Sequence, residues 1–268
     1  MEGITAVQPL SMAGMGLSIL VSLAAVIAAV IYGKKRLGAP LTTCFVGVGV
    51  FILFALVLES LVHNLVYATP AGQAIWGNIW LYALYGGAAA ALFEETGRIF
   101  AVKTFLRRRN DTPNAFMYGA GHGGIEAIFV GTVTQISNLT LAMTINAGKA
   151  GELLSTLSGA QYDSALQQLR ALCGDPGAFF MAGFERVLAL VLQISLSLIL
   201  FKGMREGKAG LVLLCYLLHF AVDAILVLIN TSFGIYAAEA FCLAFTLLTA
   251  LLALRLSPLP RRETESGT

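Results

Sequence analysis

Charge is what this 268-residue chain has least of. Asp, Glu, Lys and Arg make up 12% of it, about half the roughly 25% of an ordinary soluble domain. That scarcity excludes a globule with a solvated surface. The formal net charge of +2 is too near neutral for a nucleic-acid binder, which needs a strongly basic face. Cys44, Cys173, Cys215 and Cys242 are scattered with no C-x-x-C pair, so neither a disulfide frame nor a zinc ribbon is legible. Histidine is rarer still, with three copies.

What the chain has in excess is apolar length. Hydrophobic residues make up 57%, and seven stretches are long enough to cross about 30 Å of hydrocarbon as helices. They fall at 10–33, 41–67, 75–106, 113–137, 177–201, 209–230 and 233–255. The first lacks a basic leader and is followed by Lys34, Lys35 and Arg36, a stop-transfer flank in place of a cleavage site. The fold class is therefore all-α, a polytopic transmembrane helical bundle of about seven spans, with one integral membrane domain over 1–256. In a seven-span arrangement Lys34, Lys35, Arg36, Lys103, Arg107, Arg108, Arg109, Lys202, Arg205, Lys208, Arg255, Arg261 and Arg262 share one side. The opposite loops hold only Lys149 and Arg170. The positive-inside rule then puts the N-terminus outside and the C-terminus in the cytoplasm of a multi-pass protein. The segment 149–176 reads as an extracytoplasmic loop or surface helix, and 257–268 as a disordered cytoplasmic tail.

Against this background the ionisable residues inside spans stand out, because each costs at least about 2.5–3.5 kcal/mol at the bilayer centre. FEETGRIF places Glu94, Glu95 and Arg98 at the end of an uncharged run. His122 and Glu126 lie in the fourth span, His219 and Asp223 in the sixth. Each of these two pairs is four residues apart and so shares a helix face. At about 1.5 Å per residue, Glu94 and Glu95 lie roughly 17–18 Å from the cytoplasmic helix ends. His122 and His219 lie about 14–15 Å in, with Glu126 and Asp223 about 20–21 Å in. Three separate spans thus bring carboxylates and imidazoles to one level. Gly119-x-x-x-Gly123-x-x-x-Ala127 lets a neighbouring helix approach there. Glu59, Glu185 and Arg186 read as structural ion-pair partners, His63 as interfacial and Glu239 as too shallow for the site. In the deep set, carboxylates outnumber the single arginine. Unbalanced like charge in a low dielectric is a poor structural device and a common chemical one.

Glu94-Glu95-x-x-Arg98, His122-x-x-x-Glu126 and His219-x-x-x-Asp223, in that order on three spans, resemble the YhfC-type family. It is grouped with the PrsW and type II CAAX-prenyl protease superfamily of intramembrane peptidases. The resemblance covers roughly residues 85–230. It implies that Glu94 and Glu95 carry the general base and its partner. His122, Glu126, His219 and Asp223 would hold a metal or position the water and the oxyanion. Arg98 orients Glu94, although PrsW-type sequences carry Lys there. The expected activity is hydrolysis of a transmembrane or membrane-associated peptide near the midplane of a prokaryotic plasma membrane, amid membrane lipids and without nucleic acid. Two chemistries stay open: Zn²⁺ on His122, His219 and a carboxylate, or a metal-free glutamate–histidine pair. Two rival functions also stand, a non-catalytic scaffold that binds a partner helix and a proton- or cation-coupled transporter.

Overall fold

The computed structural model describes residue 4 and residues 6–260. Among them the chain is helical throughout, with no strand. The helices are α1 (Pro9–Lys35), α2 (Leu41–Tyr67), α3 (Pro70–Trp76), α4 (Ile79–Thr104), α5 (Thr112–Asn146), α6 (Ala150–Ser155), α7 (Gly159–Leu172), α8 (Gly177–Glu206), α9 (Ala209–Phe233) and α10 (Ile235–Leu256). Six of these, α1, α2, α5, α8, α9 and α10, are long and apolar enough to cross a membrane. The seventh, α4, has 26 residues, about 39 Å of helix, and its apolar run is broken by the charged residues of FEETGRIF. The protein is a multi-pass membrane protein of about seven spans. The expected tail from Arg261 onward lies outside the described residues.

Helix ends differ from the apolar pattern where local chemistry overrides it. The third span begins at Ile79 because the Asn78 side chain accepts hydrogen bonds from the Trp80 and Leu81 amides, at 2.9 and 3.2 Å. The residues before it form the separate α3, started by Pro70 and capped by Thr69. The fourth span runs on past 137 to Asn146 because no Gly or Pro interrupts residues 132–147. Gly148, at φ 74°, follows it. Two stretches, Ile52–Glu59 in α2 and Ala127–Val133 in α5, take the wider i→i+5 winding. Such turns often mark functional positions, and here each adjoins an acidic residue, Glu59 or Glu126.

Contacts divide the chain into two compact units, one drawn from Met1–Ala24 and Ala127–Val187, the other from Ala25–Glu126 and Leu188–Thr268. In the smaller unit Val7, Met15, Ala142, Ile145, Leu154, Leu169, Leu172 and Phe179 form a core. The segment after Lys149 is thus two short helices with Leu154, Leu169 and Leu172 buried and Leu153 and Leu166 partly buried against them. Asn146 fastens the unit's N-terminal strand of chain, accepting from the Val7 amide at 2.7 Å and donating to the Val7 carbonyl at 3.1 Å.

In the larger unit residues 192–201 of α8 are all buried, as expected of a helix that is apolar on every side. Around it α2 packs on α5, and α9 packs on both α4 and α10. The outer helices are sided in the opposite sense to a soluble bundle. On α10, Leu247, Leu248 and Leu251 are exposed while Ala238, Cys242, Thr246, Thr249 and Ala253 face inward. An exposed leucine face of this kind suits lipid, and small inward residues let helices meet closely. Several close approaches sit beside the polar residues. A Cβ on Gly119 would fall 2.6 Å from the Ile194 Cα, and one on Gly123 would fall 2.7 Å from the Gln193 Cβ. On Gly87 it would fall 2.8 Å from the Phe220 carbonyl oxygen, whereas on neighbouring Gly86 it would meet nothing within 4 Å.

That contrast gives a paired prediction. Gly87→Ala forces α4 and α9 apart and lowers stability by about 1–3 kcal/mol, while Gly86→Ala is neutral or mildly stabilising. Thermal unfolding of the purified protein in detergent measures both.

Candidate functional site

The seven residues singled out from the sequence all belong to the larger unit. Glu94, Glu95 and Arg98 project from α4, His122 and Glu126 from α5, and His219 and Asp223 from α9. Arg98 is the anchor. Its guanidinium is fully buried, donates to Glu95 Oε1 and to Gln193 Oε1, and stands 3.8 Å from Glu94 Oε2. Glu95 is also fully buried; its Oε1 accepts in addition from His219 Nδ1 at 2.7 Å. Among the described residues Glu95 Oε2 and Arg98 Nε have no hydrogen-bond partner.

Glu94 is where the helices converge. Its Oε2 accepts from His122 Nε2 at 2.9 Å and from Gln193 Nε2 at 2.8 Å. The same oxygen lies 3.8 Å from His219 Nε2, which is itself 3.5 Å from Asp223 Oδ2. The two rings therefore present the same kind of nitrogen to one carboxylate oxygen. For His219 the bond to Glu95 fixes the proton of a neutral ring on Nδ1 and leaves the Nε2 lone pair facing Glu94 and Asp223. His122 has no exposed surface. It is held edge-on by Phe51, with ring centroids 5.1 Å apart, and stacked on Tyr118 at 5.7 Å. The Tyr118 hydroxyl sits 3.5 Å from its Nδ1.

The cluster is closed on one side and open on another. Arg98, Glu95 and His122 are sealed, whereas 36% of the Asp223 side chain is exposed and Glu126 is half-buried. Glu126 accepts from Gln193 Nε2 at 2.7 Å, so one amide links Glu126, Glu94 and Arg98. Gln193 and Tyr118 were not among the residues picked from the sequence. The signal for Gln193 was present: it is the one amide in the apolar run ALVLQISLSLIL, where an unpartnered polar group would be costly. Tyr118, one turn before His122, carried no signal beyond its spacing. Elsewhere, Glu59 Oε1 lies 3.1 Å from His63 Nε2, His63 Nδ1 meets the Tyr85 hydroxyl at 2.8 Å, and Arg186 donates to Glu185.

Among the described residues no three His, Cys, Asp or Glu side chains already enclose a point at metal-ligand distance. The cluster as it stands is a hydrogen-bonded network of acids, imidazoles and one arginine inside a helical membrane protein. Comparison with known proteins places that class more narrowly. The model of the YhfC intramembrane metalloprotease family matches residues 18–243, so the chain belongs to that family. It is similar to the uncharacterized membrane protein YhfC of Bacillus subtilis (strain 168), at 32% identity over 204 residues that cover 74% of this chain and 77% of that protein. No solved structure matches it.

The network predicts unequal costs. Arg98→Met leaves two buried carboxylates without their cation and destabilises by about 3–5 kcal/mol. Gln193→Leu leaves charged groups short of partners and costs about 1–3 kcal/mol. Melting temperatures in detergent should fall in that order.

Proposed function

We propose that the protein is an intramembrane peptidase in which Glu94 activates water between His122 and His219. The observation that carries the reading is the single Glu94 oxygen facing both imidazole Nε2 atoms. A carboxylate so placed is within reach of a water held against the rings, and of the peptide that the water attacks. As the water oxygen bonds to the scissile carbonyl carbon, its proton passes to Glu94. The same carboxyl group then delivers that proton to the leaving amine as the C–N bond breaks. The His122 Nε2–H, released from Glu94 as that carboxylate takes the proton, meets the negative charge that develops on the carbonyl oxygen.

The remaining residues position these. Glu95 holds the His219 ring through Nδ1, and Arg98 and Gln193 fix both glutamates from the sealed side. Asp223, on the exposed side, lies where a substrate segment meets the cluster.

The residues fit a metal in donor type. Two imidazoles with carboxylates beside them make a catalytic-zinc ligand set. The Glu95–His219 bond is the kind of outer contact that orients a ligating imidazole. His122, His219 and Asp223 would hold the ion and leave Glu94 to move the proton. When bound, the ion would supply Lewis-acid polarisation of the scissile carbonyl.

Two measurements test the proposal. With single-span peptides offered in detergent or liposomes, Glu94→Gln should lower the cleavage rate about 10²–10⁴-fold. His122→Ala and His219→Ala should also cut the rate steeply, with the fold preserved by circular dichroism. Wild-type rates in all three variants would overturn the peptidase reading. Elemental analysis of the same preparations should find about one zinc per chain in wild type, as a four-coordinate site implies. The H122A/H219A double variant should lose it; equal zinc in both would remove the metal from the site.

A further inference from the structure

A groove of about 520 Å³ runs along the larger unit at the end that carries its basic residues. It is lined by Ile99 and Lys103 of α4, Met204 of α8, and Val212, Leu213 and Tyr216 of α9. We propose that this groove binds one anionic phospholipid, with an acyl chain on the apolar wall and the phosphate on Lys103.

The apolar wall belongs to helices built for lipid, since α8 and α9 are both long and apolar enough to span a membrane. The charge argument narrows the occupant. Lys103 lies exposed in the last turn of α4 and has no hydrogen-bond or ion-pair partner among the described residues. Lys202, Arg205 and Lys208 at the same end are engaged. Lys202 and Lys208 share Glu206 at 2.6 and 2.7 Å, and Arg205 donates to the Asn110 carbonyl at 2.8 Å. Lys103 is thus a free cation at the rim of an apolar trough, and Arg107 and Arg108, in the segment just past the end of α4, add to the positive field. That combination favours a phosphodiester with a net negative charge over a zwitterionic headgroup. A purely apolar occupant, such as a partner helix, leaves Lys103 unused.

The groove also lies against the site. Tyr216 donates to or accepts from Thr96 at 2.9 Å, and Thr96 follows Glu95 in the chain. Tyr216 precedes His219 by three residues, one turn along the same face. A bound lipid therefore braces the α4–α9 pair that the Glu95–His219 bond joins. The proposal does not depend on peptidase activity.

The test uses the purified full chain, stripped of lipid in detergent and titrated by native mass spectrometry. The probes are phosphatidylglycerol and phosphatidylcholine with identical acyl chains. Wild type should bind phosphatidylglycerol more tightly. Lys103→Gln, an exposed change that spares the fold, should weaken phosphatidylglycerol about fivefold and leave phosphatidylcholine unchanged. Lys103→Arg should retain the preference. Equal binding of the two lipids by wild type, or an undiminished preference in Lys103→Gln, would overturn the proposal. So would full competition by glycerol 3-phosphate, because a headgroup site alone needs no groove.

Discussion

A guanidinium with no exposed surface has to find acceptors for its donors, and in a membrane span water cannot supply them. Arg98 meets that demand with Glu95 and Gln193, and has Glu94 nearby. The rest of the site follows from this arrangement. Because Arg98 and the two glutamates rise from one helix, α4, a small set of residues brings both the cation and the anions. Because α4 alone cannot complete the network, α8 must contribute Gln193, α5 His122 and α9 His219. Removing any one member leaves another buried polar group short of a partner, which couples the packing of these helices to the chemistry of the cluster.

The glycines explain how bulky helices reach that point. Gly119 and Gly123 let α5 lie against α8 where Gln193 emerges, and Gly87 lets α4 touch the backbone of α9 near His219. Outside the contact zone leucines face lipid, so the bundle spends its small residues inside and its large ones outside. The wider winding of α5 begins directly after Glu126, and the open side of the cluster lies with Glu126 and Asp223. Membership of the YhfC intramembrane metalloprotease family agrees with a site of this composition. The zinc and the identity of the base rest on the proposal argued from Glu94.

Much of this was legible in the residues themselves. Apolar length located the spans, and the depth count put Glu94, His122 and His219 on one level before any contact was known. Spacing of four paired His122 with Glu126 and His219 with Asp223 on shared faces. It could not say that His122 Nε2 meets Glu94, or that Glu95 takes His219 Nδ1. Those pairings depend on helix rotation, set by packing among three helices far apart in sequence. Gln193 escaped because an uncharged amide costs less in lipid than a charge and draws less attention. Its role depends on Arg98, Glu94 and Glu126 meeting at one place. The end of α5 at Asn146 and the start of α4 at Ile79 escaped for a local reason, since side-chain caps and a positive-φ glycine set them, and hydropathy is blind to both.

In this structure α5 and α9 deliver their histidines to a common point beside Glu94. Cadmium binding by the H122C/H219C double variant tests it most directly, because two thiolates sharing an ion must lie within a few ångströms of each other. One tightly held cadmium per chain is expected in the double variant, with far weaker binding in either single variant. Equal, weak binding in all three would show that the two positions never meet, and would contradict it.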